Sequence, residues 1–156
     1  MKGRLVAAAA LAAIVGCGGG STIGGLDAEA VYTISLTQAA EVPAPKPTTA
    51  SGSATIVVYP EKIDYELRAQ SIISVTMAHI HNGAPGVAGP IVVTLFNQQN
   101  NPVSPNGVFA SGSLTAQTLP AGVTLESLKT LLASGGAYVN VHTSGNPSGE
   151  IRGQVK

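Results

Sequence analysis

Residues 62–70 alternate without a fault, and this run constrains the fold more than any other feature of the chain. Ile63, Tyr65, Leu67 and Ala69 point to one side, while Lys62, Asp64, Glu66 and Arg68 point to the other. A repeat of two is the repeat of a strand, and charge confined to one side means one wet face and one buried face. Antiparallel sheets are built in this way, whereas parallel sheets bury both faces.

Shorter β-branched runs extend the pattern. Strands are expected near 31–37, 52–59, 62–70, 73–81, 90–96, 107–115, 137–142 and 149–155, separated by turns drawn from 19 glycines and 10 prolines. Residues 91–95 are continuously apolar, which suggests a central strand. Residues 43–50 carry three prolines and cannot be one. Asn97–Asn106 reads as a polar loop. Only one segment changes period: Leu125, Leu128, Leu131 and Leu132 recur at helical spacing after Thr124, a good N-cap, and Gly135-Gly136 ends the run. The expected fold is an all-β antiparallel sandwich of about eight strands with one short helix at 124–133.

The N-terminus has a different texture. Lys2 and Arg4 precede eleven apolar residues, Leu5 to Val15, and Gly16-Cys17 follows. A basic start and a short apolar stretch form the plan of an export signal, too short to span a bilayer. The small residue before Cys17 resembles the lipobox of bacterial lipoproteins, which implies cleavage after residue 16 and acylation of Cys17. Residues 17–30 then form a Gly/Ser-rich tether with a span of roughly 20 Å, and 31–156 form the domain. Gly18 follows the cysteine in place of Asp, and by resemblance to lipoprotein sorting rules this points to the outer membrane or cell surface.

Composition excludes several functions. Loss of Lys2 and Arg4 leaves six basic against eight acidic side chains, with no basic block to meet nucleic acid. The single cysteine rules out an internal disulfide, and acylation would rule out a cysteine nucleophile. No serine lies in a nucleophile-elbow sequence, and the Gly83–Gly89 stretch lies between strands, where glycines make turns.

The three histidines are more suggestive. His79 and His81 stand two apart on one strand and so share a face, and His142 ends another strand on the same side as Asn140. If the strands are neighbours, three nitrogens can surround one transition-metal ion, with copper preferred to zinc because Met77 offers a soft sulfur on the same face as a weak fourth ligand. The alternative is structural: the rings bond the loops at 82–90 and 143–149, with Ile73 and Val75 continuing their face into the core. Glu150 and Arg152, which flank Ile151, read as a solvated or loop-bracing pair.

Three motifs carry a family resemblance. Ser35-Leu36-Thr37-Gln38-Ala39-Ala40-Glu41-Val42-Pro43, Ala78-His79-Ile80-His81-Asn82-Gly83-Ala84-Pro85-Gly86, and Ala137-Tyr138-Val139-Asn140-Val141-His142-Thr143 with Gly149-Glu150-Ile151-Arg152-Gly153-Gln154 are similar, in order and spacing, to the chordin (CHRD) domain. The resemblance implies a sandwich of immunoglobulin-like or superoxide-dismutase-like architecture. It covers nearly all of 31–156. Animal members antagonise growth factors, a role that does not transfer to one domain behind a bacterial-type anchor. A weaker resemblance to copper-zinc superoxide dismutases stops at the ligands, because three histidines cannot hold two metals. The sequence therefore reads as a non-enzymatic cell-envelope lipoprotein, a module that binds a protein partner or one metal ion. The alternative is a metal-dependent redox enzyme with a mononuclear histidine site.

Overall fold

A computed structural model describes residues 27–156. The signal segment, Cys17 and the first part of the tether lie outside the described residues. Eight strands and one helix follow in the order β1 (Ala30–Thr37), β2 (Ser51–Val58), β3 (Ile63–Gln70), β4 (Val75–Asn82), β5 (Ile91–Asn97), β6 (Gly107–Leu114), α1 (Leu125–Ala133), β7 (Ala137–Thr143) and β8 (Ile151–Gln154). All strand pairs are antiparallel, and the strands form one sheet in the order β5-β4-β7-β8-β1-β2-β3-β6. The sheet curls until its ends meet. The Tyr65 hydroxyl on β3 donates to the Leu95 carbonyl on β5 at 2.8 Å, and the Phe96 and Phe109 rings meet edge to face at 5.3 Å. The layered all-β architecture is thus closed as a single, nearly barrel-shaped sheet.

The alternation in β3 orients the strand as expected: Ile63, Leu67 and Ala69 are buried, while Arg68 and Gln70 are exposed. Ile34, Leu36, Ile56, Ala78, Ile80, Val139, Val141 and Ile151 meet them across the interior. Each fully buried aliphatic side chain contributes roughly 1.5–3 kcal/mol. Helix α1 adds Leu128 and Leu132 to this core, and its start is fixed by a capping box. Thr124 Oγ1 accepts from the Ser127 amide at 3.1 Å, and Ser127 Oγ accepts from the Thr124 amide at 3.0 Å.

Two expectations are corrected here. β5 is not central: it ends the strand order, Ile91 is exposed, only Val93 and Leu95 reach the core, and Phe96 turns to the seam with β6. Ile73 and Val75 do not continue the histidine face. The register slips between Val75 and Met77, which pair with Thr143 and His142, so Thr76 is an extra residue in β4. That bulge turns Val75 into the core, while Ile73 lies in solvent. A simple alternation cannot anticipate a change of parity.

Candidate metal centre

Beyond the bulge the register runs unbroken, and the outer face of β4, β7 and β8 carries polar groups. Ala78 and Ile80 face the core, so His79 and His81 face the other way. Across the strands Met77 pairs with His142, His79 with Asn140 and then Arg152, and His81 with Tyr138 and then Gln154. This outer face is not wet. Loops at 41–47, 83–90 and 143–149 cover it, leaving His79 2%, His81 7%, His142 6%, Asn140 2% and Arg152 1% exposed.

The structure brings all three histidines together, with one ligand nitrogen from each lying within 4.8 Å of the others. Hydrogen-bond partners assign their protons. His142 Nδ1 lies 2.9 Å from the Pro147 carbonyl and His81 Nδ1 lies 2.8 Å from the Gly89 carbonyl. A carbonyl only accepts, so both Nδ1 atoms carry hydrogen and both Nε2 atoms of the neutral rings carry lone pairs. His79 Nδ1 then donates to His142 Nε2 across 2.9 Å. The backbone carbonyls orient two rings and leave Nε2 of each without a proton, the usual outer bonding of metal-binding histidine. Met77 has a different partner, since its sulfur accepts from Gln99 Nε2 at 2.6 Å.

A CHRD domain family model matches residues 32–155. The chain belongs to the CHRD domain family. No curated protein and no solved structure matches it. The matched span contains every residue of the buried polar face, from Glu41 to Gln154.

Burial sets the electrostatics of this CHRD domain. His79 is pushed down to about 4, first by desolvation and then by the neighbouring His142 and His81. His81 and His142 also fall below the ordinary imidazole value, mainly through desolvation. All three rings are therefore neutral at pH 7, the state in which imidazole binds metal. Glu41 is raised by its burial, while Glu150 is lowered despite burial by bonds from Thr143, Thr48 and Asn146.

The sequence pointed to the histidines but missed their surroundings. Glu150 does brace a loop, accepting from Thr48 Oγ1 at 2.7 Å and Thr143 Oγ1 at 2.6 Å, yet neither it nor Arg152 is solvated. The Arg152 guanidinium lies 3.3 Å over the Tyr138 ring and donates to the Ala84 carbonyl at 3.1 Å. Tyr138 also stacks on His81 at 4.7 Å. Glu41 reaches the same face from the end of the first motif. The available signal was compositional: in a chain with 10% charged residues, three of them fall inside the family motifs.

Proposed function

We propose that this CHRD domain binds one transition-metal ion through His79, His81 and His142, copper in preference to zinc, and serves as a non-enzymatic binding module of the cell envelope held by a lipid on Cys17. One observation carries the metal reading: three buried imidazoles offer a nitrogen each within 4.8 Å of one another, two of them are anchored to backbone carbonyls through Nδ1, and the His142 Nε2 so freed meets His79. A tetrahedral site with bonds of about 2.0–2.1 Å separates its nitrogens by roughly 3.3 Å. Metal would take the place of the proton that His79 donates to His142 at 2.9 Å, that proton passing to Nε2 of His79, with a modest spreading of the pair and movement of His81 toward it. The order of preference follows from the greater affinity of nitrogen sites for copper. Met77 is a weak fourth ligand only if its sulfur leaves Gln99.

The test is titration of metal-free residues 18–156 with Cu(I), Cu(II) and Zn(II), in wild type, His81→Ala and His142→Ala. Stoichiometric binding, micromolar or tighter, that both substitutions abolish supports the site. Absent binding, or binding indifferent to both substitutions, leaves three structural histidines. The anchoring proposal is separate: Cys17→Ser should release the protein from membranes, and unchanged fractionation would refute it.

A further inference from the structure

Two unfavourable features meet in the turn between β3 and β4. Among the described residues, Ser71 and Ser74 are the only non-glycine residues with positive φ, at +53° and +57°, a region that L side chains rarely enter. Between them Ile72 enters the core, 3% exposed, whereas Ile73 stands in solvent at 73%. The turn is pinned in this form: the Ser74 amide donates to Ser104 Oγ at 3.0 Å, and the Ser74 carbonyl accepts from the Ser144 amide at 3.0 Å. Backbone strain persists where the surroundings fix it, and it clusters at ligand sites.

Ser71, Ile73 and Ser74 form one side of a groove of about 590 Å³, with Thr49, Ser144 and Glu150 among the residues across it. Glu150 is only 6% exposed, and buried charges are ordinarily paired. Yet the ion pairs among the described residues join Lys62, Arg68 and Lys129 to other carboxylates, and no lysine, arginine or histidine borders the groove. Three neutral donors keep Glu150 ionised: Thr48 Oγ1 on Oε1, with Thr143 Oγ1 and Asn146 Nδ2 on Oε2. A carboxylate has about four acceptor positions, so one on Oε1 remains. The hydroxyls of Thr49, Ser71, Ser74 and Ser144 accept as readily as they donate.

We propose that this groove binds a primary alkylammonium group, whose N–H donors meet the Glu150 carboxylate and the rim hydroxyls while its aliphatic stem lies on Ile73. An ammonium is a compact cation with three donors and no acceptor, so every polar group of the lining suits it. The group belongs to a free amine or to a lysine side chain of a partner, and the test separates these sources. The site uses none of the histidines and needs no metal.

The metal-free protein is titrated at constant ionic strength with n-pentylamine, with n-pentanol as its neutral counterpart, and with the peptide acetyl-Gly-Lys-Gly amide, followed by NMR of the backbone amides. Shifts at Ile73, Ser74 and Ser144 are expected with the amine and the peptide but not with pentanol. Tighter binding of the peptide assigns the site to a partner's lysine, and tighter binding of pentylamine assigns it to a free amine. Glu150→Gln removes the charge and should weaken pentylamine about tenfold. Ile73→Ser removes the stem contact at an exposed position and should weaken it about threefold. Because Glu150 also braces a loop, a Glu150→Gln chain that fails to fold is replaced by Ile73→Lys, which supplies an ammonium from the rim itself and should abolish amine binding. Wild type that ignores both amines overturns the proposal. So does pentanol binding as tightly as pentylamine, or pentylamine affinity unchanged by Ile73→Ser and by the charge variant.

Discussion

Gly149 is pressed against Glu41. A Cβ on Gly149 would overlap the Glu41 carboxylate and come within 3.0 Å of Asn140 Nδ2, and the glycine φ is +129°, in the region that L side chains rarely adopt. Space and backbone therefore both demand glycine here. Gly149→Ala is expected to cost about 2 kcal/mol or more and to displace the Glu41 carboxylate. Gly86 is the control: its φ is +76°, but nothing lies within 4 Å of its Cβ position. Gly86→Ala should cost only about 1 kcal/mol. Urea denaturation of both variants checks this, and equal costs would remove the steric part of the explanation.

The tautomers of His81 and His142 are open to direct observation. Each bonds a carbonyl through Nδ1, so nitrogen NMR of the metal-free protein at pH 7 should show the Nδ1–H form for both. Addition of metal should leave that proton in place on both rings while shifting Nε2. An Nε2–H form of either ring in the metal-free protein would contradict the orientation assigned here.

Stability of the metal-free protein should fall on the acid side of neutrality. His79 titrates at about 4 when folded against 6.5 ordinarily, and His81 and His142 are lowered too. Between those values the unfolded chain takes up protons that the folded one refuses, so acid favours unfolding. Glu41 is raised and opposes this, because its folded form keeps a proton that the unfolded chain releases; that contribution is lost as pH rises. Glu150 is lowered from 4.5, so its stabilisation is lost only below that pH, after the histidines have begun to charge. Between pH 7.5 and 5 the three imidazoles act against Glu41 while Glu150 stays mostly ionised, so the melting temperature should be lower at pH 5 than at pH 7.5. A flat profile would show that the rings are not held neutral.

Tyr138 ties the 83–90 loop to the histidine face. Its hydroxyl accepts from the Gly89 amide at 3.0 Å, and the Gly89 carbonyl holds His81. Tyr138→Phe keeps the ring stacked on His81 and removes the hydroxyl. It should cost about 1 kcal/mol and speed amide exchange at Gly89 more than in the core strand β7. Unchanged exchange at Gly89 would show that the bonds from Gln154 Nε2 to the Gly83 carbonyl, at 2.9 Å, and from Arg152 to the Ala84 carbonyl hold the loop alone.

The fold was legible because its signals are local. Strict alternation in β3, turn residues between strands and the Thr124 cap each act within a few residues, and the helix and all eight strands lie close to where these signals place them. The placement of β5 was not legible, since an apolar run looks the same beneath a seam as at the middle of a sheet. Nor was the parity of Val75, which depends on one extra residue at Thr76. At the site, spacing grouped His79 with His81, and adjacency of β4 and β7 brought His142 to them. Glu41 went unread, and the pair of Glu150 and Arg152 read as solvated or loop-bracing proved buried, because these burials depend on loops folding over an outward face, and an outward face with charges ordinarily signals water.

The sheet also has a polarity. β1 starts at Ala30 beside α1, where Glu29 pairs with Lys129 at 3.0 Å, and runs to Thr37 opposite Arg152. β7 leaves the same helical end and delivers Thr143 to the far one, where Thr48, Ser74, Ser144 and Glu150 border a groove of about 590 Å³. Eight strand residues at about 3.3 Å each put roughly 25 Å between these ends. On any surface that holds the chain by residues before Asp27, the helix would stand nearest the moorings, and the hydroxyl-lined groove and the loop over His142 would stand outermost, as the part of the molecule that a newcomer meets first.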